Sequence, residues 1–156
     1  MKQNVQLSDE MKRDLMKVYR EESESYGGYV QAEIYKRTVA HPAPRFYVHA
    51  KSAHRYISPM LRGDRSKVER LKPLQRQMYD ALFDVVVNFS RKEKFWNKSL
   101  YYILRQAVME PAPRFFIGPM RMGQIWREQR GKERLKRKEQ EKRYRIITPQ
   151  SLRHEA

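Results

Sequence analysis

One seven-residue motif occurs twice in the chain and limits where its helices can continue. Residues 42–48 read Pro-Ala-Pro-Arg-Phe-Tyr-Val, and residues 111–117 read Pro-Ala-Pro-Arg-Phe-Phe-Ile, 69 positions later. Two prolines one residue apart oppose helix, because proline lacks an amide hydrogen and pushes the preceding residue towards extended backbone. Five identities followed by two conservative pairs predict an internal duplication of one structural unit.

The first copy of this unit reads as helix, helix, extended linker, helix. Ser8 is the expected N-cap of the first helix, and Gly27 with Gly28 interrupts it. Apolar residues at helical spacing predict a second helix over about 29–40 and a third over about 50–61, with Gly63 beyond its end.

The second copy repeats this plan. Pro73 suits the first turn of a long apolar helix, residues 91–94 form a polar break, and 96–109 is the next expected helix. After the second motif, a helix carries Met122, Ile125 and Trp126. The alternation of side chains that is typical of a strand is limited to residues 46–48 and 115–117, which could at most pair as two short strands. The fold class is therefore expected to be all-α, or mainly α with at most these two strands.

The charge distribution separates a body from a tail. Residues 127–145 contain ten basic and four acidic residues and few apolar ones, which predicts a long, exposed, charged helix. We expect a first helical repeat at 1–72 and a second at 73–126, packed together as one body. A charged helical tail with a loose C-terminal end would then occupy 127–156.

A net charge of +16 in 156 residues makes a polyanionic partner the first expectation. The absence of cysteine excludes disulfides, thiol nucleophiles and cysteine-based metal sites. The polar segment 1–10 lacks an apolar signal-peptide core, and no apolar run is long enough to cross a membrane. A cytoplasmic protein is expected, or one inside a particle assembled in the cytoplasm, without a membrane partner.

The motif arginines, Arg45 and Arg114, allow two interpretations. A guanidinium can grip a phosphate through two parallel hydrogen bonds, so both could bind nucleic acid. Alternatively, each arginine caps the carbonyl groups that end the preceding helix, while Phe46 or Phe115 fills the core. The identity of the whole motif in both copies favours this second, structural role.

The third helix of each copy supplies further candidate contacts. Two helices with a short connection, the second rich in Arg and Gln, loosely resemble a helix-turn-helix, although the linker here is longer than usual. The candidates in and after the first copy's third helix are Lys51, Arg55, Arg62, Arg65 and Lys67. Those in the second copy are Arg121, Gln124 and Arg127, and those in the tail are Arg130, Lys132, Arg134, Lys136, Arg137 and Lys138.

Signals for catalysis are weak. The chain has four histidines but no His-Glu-x-x-His, no glycine-rich phosphate loop and no Gly-x-Ser-x-Gly. We therefore expect no catalytic residue, cofactor or metal. The expected function is non-enzymatic binding of nucleic acid, double-stranded DNA before RNA, mainly through phosphates. The alternative is a structural or assembly component of a nucleoprotein particle, such as a phage virion or a ribosome-like body, whose C-terminal helix contacts protein subunits.

Overall fold

The computed structural model describes the backbone of residues 2–28 and 30–155, and the side chains of residues 5–28 and 30–145. Within these residues the regular structure is helical and contains no strand, which confirms the all-α prediction. A turn of 3-10 helix, Glu93–Phe95, precedes the sixth α-helix. The α-helices are α1 (Lys2–Tyr26), α2 (Gln31–Ala40), α3 (Ala50–Leu61), α4 (Ser66–Glu69), α5 (Pro73–Ser90), α6 (Leu100–Ala107) and α7 (Pro119–Glu155).

The chain divides into two compact units, Met1–Met122 and Gly123–Ala156. Helix α7 starts at the end of the first unit and supplies the second. The side chains of the C-terminal end predicted to be loose, residues 146–156, lie outside the described residues.

Helix α1 begins earlier than the sequence predicts, so Ser8 is an interior helical residue and not the N-cap. No glycine or proline lies between Lys2 and Tyr26, and a single serine inside a helix is only mildly unfavourable. Gly27 follows the helix with φ +64°, the left-handed conformation that glycine adopts without steric strain. The predicted interruption at this position is therefore confirmed.

Helix α3 has the predicted bounds, and Gly63 lies beyond its end with φ +84°. The Gly63 amide donates to the carbonyl of Met60 at 3.0 Å, which satisfies one carbonyl of the last turn. The four-residue helix α4 is absent from the sequence prediction. Its first amide, at Ser66, donates to Oδ1 of Asp64 at 3.0 Å.

Helix α6 is shorter than predicted, because it begins at Leu100 and not at Trp96. Ser99 is the N-cap, and its hydroxyl accepts a hydrogen bond from the Tyr102 amide at 3.2 Å. This bond satisfies an amide that has no partner inside the helix and sets the first turn. Trp96 consequently lies in the connection between α5 and α6.

The core of the first unit forms where its helices pack together. Helix α1 contacts α2, α5 contacts α6, and α3 contacts both α5 and α6. Phe46 and Phe115 are each 1% exposed, which confirms that the motif phenylalanines fill the core. Their rings pair with the residue after the other phenylalanine: Phe46 lies over Phe116 with centroids 6.3 Å apart, and Tyr47 lies over Phe115 at 5.9 Å.

The two motifs meet at their alanines. The Ala43 amide donates to the Ala112 carbonyl at 3.0 Å, and the Ala112 amide donates back to the Ala43 carbonyl at 2.9 Å. Both alanines are buried. In a Pro-Ala-Pro sequence only the alanine has an amide hydrogen, so it is the one residue of the three that can make this antiparallel pair.

The two short strands that the sequence allowed at 46–48 and 115–117 do not form, because their first amides bond elsewhere. The Phe46 amide donates to the Val108 carbonyl at 2.9 Å, and the Phe115 amide donates to the Val39 carbonyl at 3.0 Å. These carbonyls lie where α6 and α2 end, and helix-end carbonyls lack partners within the helix. Each linker therefore caps the helix that precedes the other linker. The duplication of the whole unit remains a prediction.

Candidate nucleic-acid interface

Arg45 is held by its own linker. Its Nε donates to the Phe46 carbonyl at 3.1 Å, and its Nη1 lies 3.4 Å from Oε2 of Glu10 on α1. The side chain is 14% exposed. These contacts favour the structural interpretation, but the carbonyl differs from the predicted one: it belongs to the linker and not to the end of the preceding helix.

Arg114 makes the equivalent contact in the second linker. Its Nε donates to the Phe115 carbonyl at 3.1 Å, and its Nη2 donates to the Ile117 carbonyl at 3.4 Å. Among the side chains that the structure describes, none forms an ion pair with Arg114. The two arginines thus share one backbone contact but differ in charge compensation, because Glu10 neutralises only Arg45.

A cavity of about 290 Å³ brings the two motif arginines together. Arg45 and Arg114 line it with Tyr47, Tyr79 and Phe116. Phosphate contact by both arginines would have to occur through this partly enclosed space, whose remaining walls are largely aromatic and aliphatic.

The Tyr47 hydroxyl forms a hydrogen bond within the protein. Its hydroxyl donates a hydrogen bond to Oδ2 of Asp14. Burial, together with this hydrogen bond and the negative charge of Asp14, raises the pKa of the Tyr47 hydroxyl well above its usual range. Tyr47 is therefore better suited to joining the first linker to α1 than to stacking on a base.

The basic stretch on and after α3 is exposed. Lys51 and Arg55 are four residues apart on α3 and share one face, while Arg62 and Lys67 follow the helix. Within the part of the chain whose side chains are described, no carboxylate pairs with any of these four. The positive charge of Lys51 and Arg55 is thus available to a partner, whereas the Asp64 carboxylate interacts electrostatically with Arg62 and Lys67.

Arg65 differs from its neighbours because it already bonds two carboxylates. Its Nη2 lies 2.9 Å from Oδ1 of Asp80 on α5, and its Nε lies 3.1 Å from Oε1 of Glu69 on α4. Glu69 also accepts from Arg76 at 3.2 Å. Hydrogen bonds from Arg65 and Arg76 lower the pKa of the Glu69 carboxyl. Arg65 thus links α4 to α5, and because two carboxylates already compensate its charge, it would attract phosphates less than its neighbours do.

A second groove brings Arg45 and Lys51 together with a residue outside the predicted set. Its volume is about 580 Å³, and Arg105 and Tyr101 of α6 line its other side. Tyr101 is 47% exposed and Arg105 is also exposed. Glu10 contributes the opposing charge. Arg105 could have been found from its place six residues before the second motif, but the sequence alone does not align α6 beside α3.

The remaining candidates lie on α7. Arg121 belongs to the first unit, whereas Gln124 and Arg127 belong to the second. All three are exposed. The tail residues are exposed as well: Arg130, Lys132, Arg134, Lys136, Arg137 and Lys138.

Sequence reasoning missed a basic and aromatic surface in the connection between α5 and α6. We call residues 91–99 the Trp96 loop. Trp96 is 70% exposed, and Lys92, Lys94 and Lys98 are exposed around it. The sequence prediction placed Trp96 inside a helix and so did not identify this surface. Ser99, a strong N-cap residue just before the apolar run of α6, was the signal for the later helix start.

Comparison with protein families, with curated proteins and with solved structures finds no match to this chain. Across the described residues, no helix combines the length and apolar character needed to cross a membrane. No group of three His, Asp or Glu side chains lies close enough to hold a metal ion in the part of the chain that the structure describes.

Proposed function

We propose that this protein binds nucleic acid without catalysing a reaction, and that it contacts double-stranded DNA mainly through phosphates. The observation that carries the proposal is a set of exposed cations without an ion-pair partner among the described side chains, Lys51 and Arg55 on one face of α3 and Arg62 and Lys67 after it. Exposed cations on a protein of net charge +16 attract a polyanion and release its condensed counterions on binding.

The groove lined by Arg45, Lys51 and Arg105 supports the same proposal. Glu10 offsets Arg45 there, so Lys51 and Arg105 supply the positive charge beside Tyr101, whose exposed ring and hydroxyl suit contacts to sugar and phosphate. Phosphate contacts of this kind position a duplex without reading its sequence. The proposed binding is accordingly of low sequence specificity and strongly dependent on salt. A cytoplasmic location, or one within a particle assembled there, fits this partner.

The test compares two triple variants in a salt titration with a labelled duplex. The first neutralises Lys51, Arg55 and Lys67 to Gln, and the second neutralises Arg13, Lys17 and Lys36, which are exposed on α1 and α2. The first should reduce the slope of log affinity against log salt by about 0.9 for each phosphate that the variant no longer neutralises, and the second should change it little. Equal slopes in both variants, or no binding by the unmodified protein at low salt, would refute the proposal.

The alternative function is that of an assembly component in a nucleoprotein particle. The observation in its favour is the length of α7, a 37-residue helix with Leu135 65% exposed. A large apolar side chain on an exposed charged helix suits a contact with another protein subunit. Light scattering after size exclusion separates the two functions: a monomer or dimer that binds duplex favours the first, and a ring or higher assembly favours the second.

A further inference from the structure

The Trp96 loop carries an excess of positive charge on exposed side chains. Arg91, Lys92, Lys94 and Lys98 are basic, Glu93 alone is acidic, and all five are exposed. Within the described residues, none of the four cations pairs with a carboxylate. The loop therefore presents a net charge of +3 to any partner, from four basic residues less one acidic residue.

Trp96 is held at the surface of this loop in a fixed position. Its indole Nε1 donates to the Arg91 carbonyl at 3.3 Å, which satisfies the one polar group of the ring. The preceding residue, Phe95, is buried and stacks on Phe89 of α5 with centroids 5.3 Å apart. The indole is thus anchored at its base while most of its surface faces solvent.

Lysines before and after Trp96 in the loop hold their ammonium groups over aromatic rings. Lys92 Nζ is 4.7 Å from the Phe89 centroid, and Lys98 Nζ is 5.1 Å from the Tyr102 centroid. These contacts hold the ammonium groups near the loop without neutralising them. Cations beside an exposed ring are the combination that proteins use to bind single strands, where the ring stacks on a base and the cations track the backbone.

A depression of about 340 Å³ adjoins the indole and supplies space for a base. Its walls are mainly apolar, with Lys98 and Ser90 as polar members. The apolar residues are Leu61, Val86, Phe95, Leu100 and Ile103. A base in a duplex is stacked between its neighbours and cannot enter, whereas a base of a single strand can leave the stack at little energetic cost.

We infer that the Trp96 loop is a binding site for single-stranded nucleic acid, in which Trp96 stacks on an unpaired base and Lys92, Lys94 and Lys98 contact the flanking phosphates. This inference rests on the proposed nucleic-acid function and extends it to a second surface with a different preference. The charge of the loop favours a polyanionic strand over a protein partner of ordinary composition.

The test uses the full chain and two probes of equal length, an oligothymidylate and a duplex of mixed sequence. Trp96→Ala should weaken oligothymidylate binding roughly 5- to 150-fold, the range measured for loss of one stacked base, and leave duplex binding unchanged. Trp96→Phe should retain part of the affinity. Tyr144→Ala, which removes an equally exposed aromatic residue from the second unit, is the matched control and should change neither affinity.

Fluorescence gives a second readout that does not depend on affinity alone. The chain has two tryptophans, so Trp126→Phe leaves Trp96 as the reporter, and circular dichroism checks that this variant keeps its helices. Oligothymidylate should quench Trp96, and an equal concentration of duplex should not. If the unmodified protein binds duplex but Trp96→Ala binds both probes as before, the inference is wrong and the proposed function stands. If neither probe binds at low salt, the proposed function itself fails.

Discussion

Ala43 and Ala112, 69 residues apart in the chain, exchange both backbone hydrogen bonds, at 3.0 and 2.9 Å. Because proline has no amide hydrogen, these two alanines supply the only backbone amides through which the Pro-Ala-Pro segments can bond to each other. The motif thus ends helices in two places and joins those places to one another. The two copies of the motif thus bond to each other, each through its alanine.

Replacing either alanine by proline should destabilise the fold. Ala43→Pro removes the amide that bonds to Ala112 and leaves a buried carbonyl without a donor, which should lower the free energy of unfolding by about 1–3 kcal/mol. Ala112→Pro should have a similar effect, because the pair is reciprocal. Ala43→Gly keeps the amide and should be less destabilising. Urea denaturation measures all three, and equal stability of the Pro and Gly variants at position 43 would contradict the role assigned to this bond.

Arg45→Lys and Arg114→Lys should both lower stability, because lysine cannot reproduce the Nε bond to the next carbonyl. We expect the free energy of unfolding to fall by about 1.5–3 kcal/mol for each, the usual range for hydrogen bonds that involve charged groups. Arg55→Lys, at an exposed position, is the control and should be nearly neutral. Unchanged stability with weaker DNA binding would instead identify the motif arginines as phosphate contacts.

The buried Tyr79 hydroxyl should make stability depend on pH in the alkaline range. Burial, with a smaller effect of Tyr56, raises the pKa of Tyr79 from 10.0 to about 12. Between these values the folded state binds more protons than the unfolded state, so stability is full below about pH 10 and is lost as pH rises towards 12. Urea denaturation across this range should give a shallower decline for Tyr79→Phe. Identical declines in the two proteins would contradict this prediction.

Two glycines should respond to alanine in opposite directions. Gly131 lies within α7 with open space around its Cβ position, so Gly131→Ala should stabilise that helix by about 0.5–1 kcal/mol and increase helical circular dichroism. Gly63 has equal space but φ +84°, so Gly63→Ala should destabilise the first unit by about 1 kcal/mol in urea. Since neither position is crowded, backbone conformation alone separates the two results, and effects of the same sign would refute the explanation.

Much of the helix plan could be read from the chain. Pro73 at the start of α5, Gly27 after α1 and Gly63 after α3 act through local backbone preferences, and the structure confirms all three. The errors at Ser8 and Trp96 are also local: each was predicted to start a helix, but α1 begins at Lys2 and α6 begins at Leu100. Helix α6 starts after Ser99, and not at Trp96, because the Ser99 hydroxyl accepts a hydrogen bond from an amide of the first turn.

The candidate site was less predictable than the helices. Exposure of Lys51 and Arg55 follows from the amphipathic pattern of α3, but the pairing of Arg65 with Asp80 joins residues on different elements. The sequence by itself determined where helices must stop, that the fold is helical and that the protein is strongly basic, because these depend on covalent geometry and composition. Tertiary structure alone decided that the two motifs cap each other's helices and that Arg45 and Arg114 face one cavity, because both depend on contacts between residues far apart in the chain.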